Sequence, residues 1–135
     1  MYFCFGILKD GVKNILLVFV GSGIGGAARY LLSLTFDIIF MEFPVATLII
    51  NAIACLVVGL VVGVADTRSI LTSPQTLFLS TGFCGGFSTF SKFSGETIYL
   101  FQEGNNFMAI LNIILSVAIC LIATYVGLFI SRFVG

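Results

Sequence analysis

Four apolar runs dominate the chain: residues 15–36, 44–65, 74–101 and 107–129. Each reaches the ~20 residues that a helix needs to cross the hydrocarbon core of a bilayer. The links between them, 37–43, 66–73 and 102–106, are short and carry Asp, Glu, Pro, Gly and Asn, the composition of tight hairpins between antiparallel neighbours. No separate soluble domain and no internal repeat is visible. The expected fold is therefore an all-α membrane protein, with residues 1–135 forming one four-helix transmembrane domain. Composition agrees: 59% of the residues are hydrophobic and 9% are charged, and a soluble domain of this length could not keep so much apolar surface out of water.

Several function classes fall away on composition. The net charge is zero, so nothing points to nucleic acid, and the absence of histidine removes the commonest general base and metal ligand. Cys4, Cys55, Cys84 and Cys120 form no CxxC pair. A zinc or disulfide framework is not expected, and three of the four lie within apolar runs and read as small core residues. The first apolar residues are followed by Lys9, Asp10 and Lys13 instead of a small-residue cleavage site, so the N-terminus does not read as a signal peptide.

The charges also suggest an orientation. With four crossings, Lys9, Lys13, Arg68 and Arg132 fall on one side, while the opposite links hold Asp37, Glu42 and Glu103 and no Lys or Arg. The positive-inside rule then puts both termini in the cytoplasm. Four helices enclose little interior, so a pore or substrate site calls for an oligomer. On the first span Gly21, Gly25 and Arg29 recur every fourth residue, flanked by Ser22 and Gly26, which makes a face that another backbone can approach closely.

Ionisable groups at membrane depth cost about 2.5–3.5 kcal/mol each on insertion scales and mark function by default. There are three here: Arg29, Lys92 and Glu96. Arg29 either snorkels to the interface or lines a water-filled vestibule that attracts anions. Glu96 lies four residues after Lys92, so the two can pair on one helix face. Among uncharged groups, Asn51 stands alone in its span, either joining helices or facing a permeating species. On the fourth span Asn112, Ser116, Cys120 and Thr124 recur every fourth residue, a polar track along one side of a helix. The bland alternative is that such hydroxyls bond their own i−4 carbonyls.

The densest anomaly is GFCGGFSTFSKF, residues 82–93. Gly82, Gly85 and Gly86, followed by Ser88, Thr89 and Ser91, should interrupt the third helix. Irregular backbone at membrane depth is tolerated only when buried in protein or lining a cavity, and a broken helix exposes groups that bind ions. Phe90 and Phe93 can share a face. The positive edge of a phenyl ring can meet a small anion, although for either ring alone ordinary core packing is the simpler reading.

These stretches resemble the Fluc (CrcB) family of fluoride channels. GSGIGGAARY is similar to the family's GGxxGAxxRY, ATLIINAIACLVVG to its GTLxxNxxGxxxxG, and GFCGGFSTFSKFSGET to its GFCGGFTTFSTFSxET. The third motif is highly specific, and the three in order cover nearly the whole chain. The resemblance implies a four-helix protomer with its third helix broken at mid-membrane, two protomers assembling antiparallel as a dual-topology dimer with two pores. It implies that Phe90 and Phe93 present ring edges to fluoride, that Asn51 is a pore asparagine, and that Ser91 and Ser116 belong to the hydroxyls lining the pore. It places Arg29 at the vestibule. It assigns the carbonyls of Gly85 and Ser88 to one structural sodium ion at the dimer centre, two from each subunit. The implied activity is passive, selective fluoride export across the cell membrane, which confers fluoride resistance; the implied protein is not an enzyme.

This chain departs from the family pattern in three respects. Ala46 and Ala54 replace glycines of the second motif. Lys92 stands where the family has Thr between the two pore phenylalanines. A cation there either holds fluoride too tightly, or pairs with Glu96 and points away, or impairs this chain's own track. The strong charge bias also suits a chain that inserts one way and pairs with an oppositely inserted paralogue better than it suits a homodimer. Two other functions compete. One is a non-conducting structural half of a heterodimeric channel. The other is a small proton-coupled antiporter, which would need a carboxylate in the first span, where residues 15–36 hold none.

Overall fold

The computed structural model describes the backbone of residues 2–39, 43–68 and 71–133, and the side chains of 11–36, 43–66 and 71–133. Lys9, Asp37, Glu42 and Arg68, on which the orientation argument partly rests, lie outside the described side chains, as does Cys4. Among the described residues every regular element is helical. The helices are α1 (Tyr2–Ile39), α2 (Val45–Arg68), α3 (residues 73–87), α4 (Phe90–Gln102) and α5 (Asn106–Ser131). Three of them, α1, α2 and α5, contain stretches long and apolar enough to cross a membrane. The third apolar run is shared between α3 and α4.

α3 starts at a capping box in which the Thr72 amide donates to Gln75 Oε1 at 2.9 Å, with Pro74 in the first turn. From Leu77 to Cys84 it widens into a π-helix. Ser80 Oγ donates to the Thr76 carbonyl at 2.6 Å at that widening. The final turn, Gly85–Phe87, returns to α geometry. Then the chain extends for two residues, Ser88 at φ −73°, ψ 158° and Thr89 at φ −150°, ψ 112°, before α4 begins.

The interruption thus falls on the hydroxyl pair and not on the glycines. Gly82, Gly85 and Gly86 are all helical. Gly82 and Gly86 serve close approach instead: a Cβ on Gly82 would lie 3.2 Å from Gly21 Cα, and one on Gly86 would run into the Ser22 backbone. From the other side, a Cβ on Gly21 would sit 2.8 Å from the Phe78 carbonyl oxygen, and one on Gly25 would collide with that of Phe83. The small-residue face of α1 therefore packs against α3 of the same chain. Ser22 Oγ adds a hydrogen bond to the Gly82 carbonyl at 3.3 Å. Without a hydrophobic driving force between helices in lipid, this backbone proximity and its dispersion contacts hold the pair together.

A second backbone-to-backbone seam joins α2 to α5. Added methyl groups on Gly59 and Gly127 would strike the Thr124 and Leu56 carbonyls, respectively. Between the two seams lies an apolar core of Ile50, Ala54 and Phe87, with Ala28, Leu32 and Phe83 against it. Phe83 and Phe87 stack at 5.6 Å. Two of the four phenylalanines in the anomalous stretch are therefore core. The α4–α5 hairpin closes through a Schellman motif. The Asn105 amide donates to the Leu100 carbonyl at 2.9 Å and that of Gly104 to Phe101 at 3.1 Å. Gly104 has a φ of +78°, a conformation that suits glycine.

Candidate functional site

The helix break opens three backbone questions, and side chains from α1 and α2 answer them. In a continuous helix the Thr89 amide would donate back to Gly85. Here it donates to Asn51 Oδ1 at 2.8 Å, while Asn51 Nδ2 donates to the Thr89 carbonyl at 3.2 Å. A carboxamide offers one acceptor and two donors in a plane, so Asn51 replaces both ladder bonds of one extended residue. The Ser88 carbonyl accepts from Arg29 Nη1 at 3.4 Å. Arg29 therefore reaches toward the break. Leaving a buried amide and carbonyl unpaired would cost several kcal/mol each at membrane depth, which is why the break needs these partners. Thr89 also caps α4, its Oγ1 accepting from the Lys92 amide at 3.2 Å.

Two concavities meet at Thr89. One is an open cleft of about 560 Å³ lined by Arg29, Tyr30, Ser33, Thr89, Ser91 and Lys92. The other is a cavity of about 250 Å³ whose wall includes Asn51, Thr89, Phe90, Phe93, Ser116 and Cys120. The cleft carries two cations and four hydroxyls. The cavity carries two rings, an amide, three hydroxyl residues and two thiols. Such a gradient could attract an anion to the cleft and offer it positive ring edges and neutral donors in place of water.

Phe90 and Phe93 lie with ring centroids 5.5 Å apart, tilted by 46°. Phe93 is half-buried, whereas Phe90 is 77% exposed on the protomer surface. Phe93 is backed by a relay of polar groups that ends on its carbonyl. Ser116 Oγ donates to Asn112 Oδ1 at 3.4 Å, Asn112 Nδ2 to Thr97 Oγ1 at 2.9 Å, and Thr97 Oγ1 to the Phe93 carbonyl at 2.8 Å. Asn112 is 1% exposed, so this relay is buried between α4 and α5.

The fourth-span polar track divides accordingly. Ser116 and Cys120 line the cavity, Asn112 joins two helices, and Thr124 Oγ1 bonds its own i−4 carbonyl at 3.0 Å. Lys92 does not stand between the rings. Its Nζ lies 3.7 Å from Glu96 Oε1 and 3.5 Å from Ser33 Oγ, in the cleft, and Thr47 Oγ1 donates to the same Glu96 oxygen at 2.8 Å. Ser91 also sits in the cleft, its Oγ 3.2 Å from Thr89 Oγ1.

Gly85 and Ser88 bracket the last turn of α3. Gly85 is exposed and an added Cβ there would meet nothing within 4 Å. With the Thr89 amide diverted to Asn51, the Gly85 carbonyl is released from the usual i+4 bond on an open face. The Ser88 carbonyl keeps a second lone pair beside its long contact with Arg29. Two neutral carbonyl oxygens a turn apart fit the oxygen donor set that a hard alkali cation takes.

Sequence reading named Thr89 only as a helix breaker and overlooked Thr47 and Thr97. The signal for Thr89 was its N-cap position three residues before Lys92. Thr47 and Thr97 gave no signal, since their partners lie on other helices or are backbone atoms.

Comparison with known proteins joins these features to a family. Residues 16–128 match the family described as CrcB-like protein, Camphor Resistance (CrcB). The fluoride-specific ion channel FluC of Pyrococcus abyssi is 36% identical over 121 residues, 90% of this chain and 98% of its own length. That of Coxiella burnetii is 40% identical over 121 residues, 88% and 98% of the two chains. That of Flavobacterium psychrophilum is 38% identical over 122 residues, 90% and 98%. A match over most of both lengths, on a helical frame whose third apolar run is broken beside a paired-phenylalanine cavity, shows that this chain is a multi-pass membrane protein belonging to the CrcB-like family.

Proposed function

We propose that this chain is a pore-forming subunit of a fluoride-selective channel that lets fluoride leave the cytoplasm passively across the cell membrane. The observation that carries this reading is the junction at Thr89. There the cleft with Arg29, Lys92 and Ser91 meets the cavity of Phe90, Phe93, Asn51 and Ser116. Fluoride collects at the cations, then exchanges water for ring edges, the remaining Asn51 N–H and the Ser116 hydroxyl, which turns from its long 3.4 Å contact with Asn112 to donate. The curated relatives named as fluoride-specific channels, matched nearly end to end, support the choice of anion.

The working unit is an antiparallel dimer. Phe90 and Gly85 share an exposed position beside the break, which supports a partner covering them. A sodium ion bound by the Gly85 and Ser88 carbonyls and their counterparts would tie the two subunits together as a structural centre. The charge asymmetry supports a partner that is a paralogue of inverted bias, with both termini of this chain cytoplasmic.

Fluoride efflux from proteoliposomes tests the reading, with the chain alone and co-expressed with such a paralogue. Efflux is expected in at least the paired case; none in either would overturn the assignment. Phe90→Ile or Phe93→Ile is expected to lower efflux while the protein elutes as before. Unchanged efflux in both would remove the rings from the conducting path.

The Lys92–Glu96 pair gives a separate prediction. Lys92→Met removes the cation that lies 3.7 Å from Glu96 Oε1. A partly exposed pair is worth about 1 kcal/mol, so efflux should drop about fivefold. Adding Glu96→Gln should restore it. A double variant as slow as the single would mean that Lys92 acts on fluoride directly rather than by neutralising Glu96.

A further inference from the structure

Cys55 on α2 and Cys120 on α5 are 65 residues apart in sequence, yet both side chains reach the wall of one cavity at the α2–α5 seam. Both are half-buried, both are free, and both line the same cavity. The seam beside them is held by direct backbone contact between Gly59 and Thr124, one turn further along each helix. The two thiols are thus fixed as a facing pair by rigid elements. The third described cysteine, Cys84, is buried and absent from the cavity wall. Nothing in the fluoride reading uses these thiols.

We propose that Cys55 and Cys120 form a two-thiol site for a soft, thiophilic metal ion that favours two-coordinate binding. Soft ions select thiolate sulfur over the oxygen donors elsewhere in the cavity. A two-coordinate ion takes its ligands from opposite sides, which facing thiols supply. The described residues contain no group of three His, Cys, Asp or Glu side chains placed to hold a metal, so an ion that demands four such ligands is not served here. With a divalent ion the step is balanced: two S–H bonds break, two S–metal bonds form, and two protons pass to water. The product is neutral, so no net charge is left in a weakly polar cavity.

Mercuric ion alone is a suitable probe, followed by the ultraviolet sulfur-to-mercury absorption of the detergent-solubilised full chain. Chelation by two fixed thiols should resist a monothiol competitor. Cys55→Ser and Cys120→Ser, each checked for the elution profile of the parent, should each need about 100-fold less competitor to release the ion. On the unaltered chain, bound mercury should protect Cys55 and Cys120 together from alkylation, read by peptide mass spectrometry. Retention unaffected by both substitutions, or protection of a different pair, would overturn the site. Neither reading uses fluoride flux, so failure here leaves the channel assignment standing, and failure of that assignment leaves this site standing.

Discussion

Asn51→Leu is expected to reduce fluoride efflux by about two orders of magnitude, the largest loss of any single side-chain change in the cavity. Leucine keeps the branched outline and heavy-atom count of asparagine and removes both bonds that hold the extended segment. The Thr89 amide and carbonyl then lose their partners, at about 1–3 kcal/mol for each group. Thr89 lines both the cleft and the cavity, and Phe90 follows it directly, so a shift there misaligns the whole path. Even about 2.7 kcal/mol of misplacement is worth about 100-fold in a rate. Asn51→Asp separates the two bonds, because it keeps the acceptor for the Thr89 amide and loses the donor. It should be less stable than the parent, because a carboxylate at membrane depth faces the Thr89 carbonyl without a donor, and its negative charge lowers anion flux further. Stopped-flow or electrode measurement of efflux from liposomes decides the matter. Parental flux through Asn51→Leu would show that the extended segment is held by other groups.

The contrast between Asn51 and Lys92 shows what a sequence of this kind reveals. The helical spans were readable because twenty consecutive apolar residues have one economical conformation in lipid. The Lys92–Glu96 pair was readable because its spacing is a property of a single helix. Asn51 was visible as a polar residue in need of partners, but those partners lie 38 residues away on another element, and no periodicity encodes that distance. The same limit applies to Arg29, whose contact with the Ser88 carbonyl crosses 59 residues of sequence. The glycines misled for a related reason. In isolation they are the weakest helix formers of the stretch, but the backbone of α1 lies against Gly82 and Gly86, and that contact keeps them helical. The break then passes to Ser88 and Thr89, whose backbone groups have side-chain partners waiting on α1 and α2.

Gly59→Val is expected to be the most damaging change to the fold outside the cavity. The first carbon added at Gly59 would collide with the carbonyl oxygen of Thr124, and lie 3.0 Å from its carbonyl carbon and 3.1 Å from the Leu128 amide nitrogen. These are all backbone atoms, so no rotamer change relieves the clash; α2 and α5 must move apart. Gly127 meets Leu56 and Leu60 in the reciprocal way, which leaves the seam no slack. Overpacking a side-chain core costs about 1–3 kcal/mol, and displacing two helix backbones belongs at the top of that range or above it. Separation would also pull Ser116 and Cys120 from the wall they form with Asn51 and Cys55, so flux should fall with stability. Gly95→Ala is the matched control. It lies in α4 with nothing within 4 Å of an added Cβ, and the helix gains up to about 1 kcal/mol of intrinsic preference. Heating each variant in detergent and following the monodisperse fraction by size exclusion should rank Gly95→Ala at or above the parent and Gly59→Val far below it. A Gly59→Val protein as heat-resistant as the parent would mean that the α2–α5 seam is not a backbone contact.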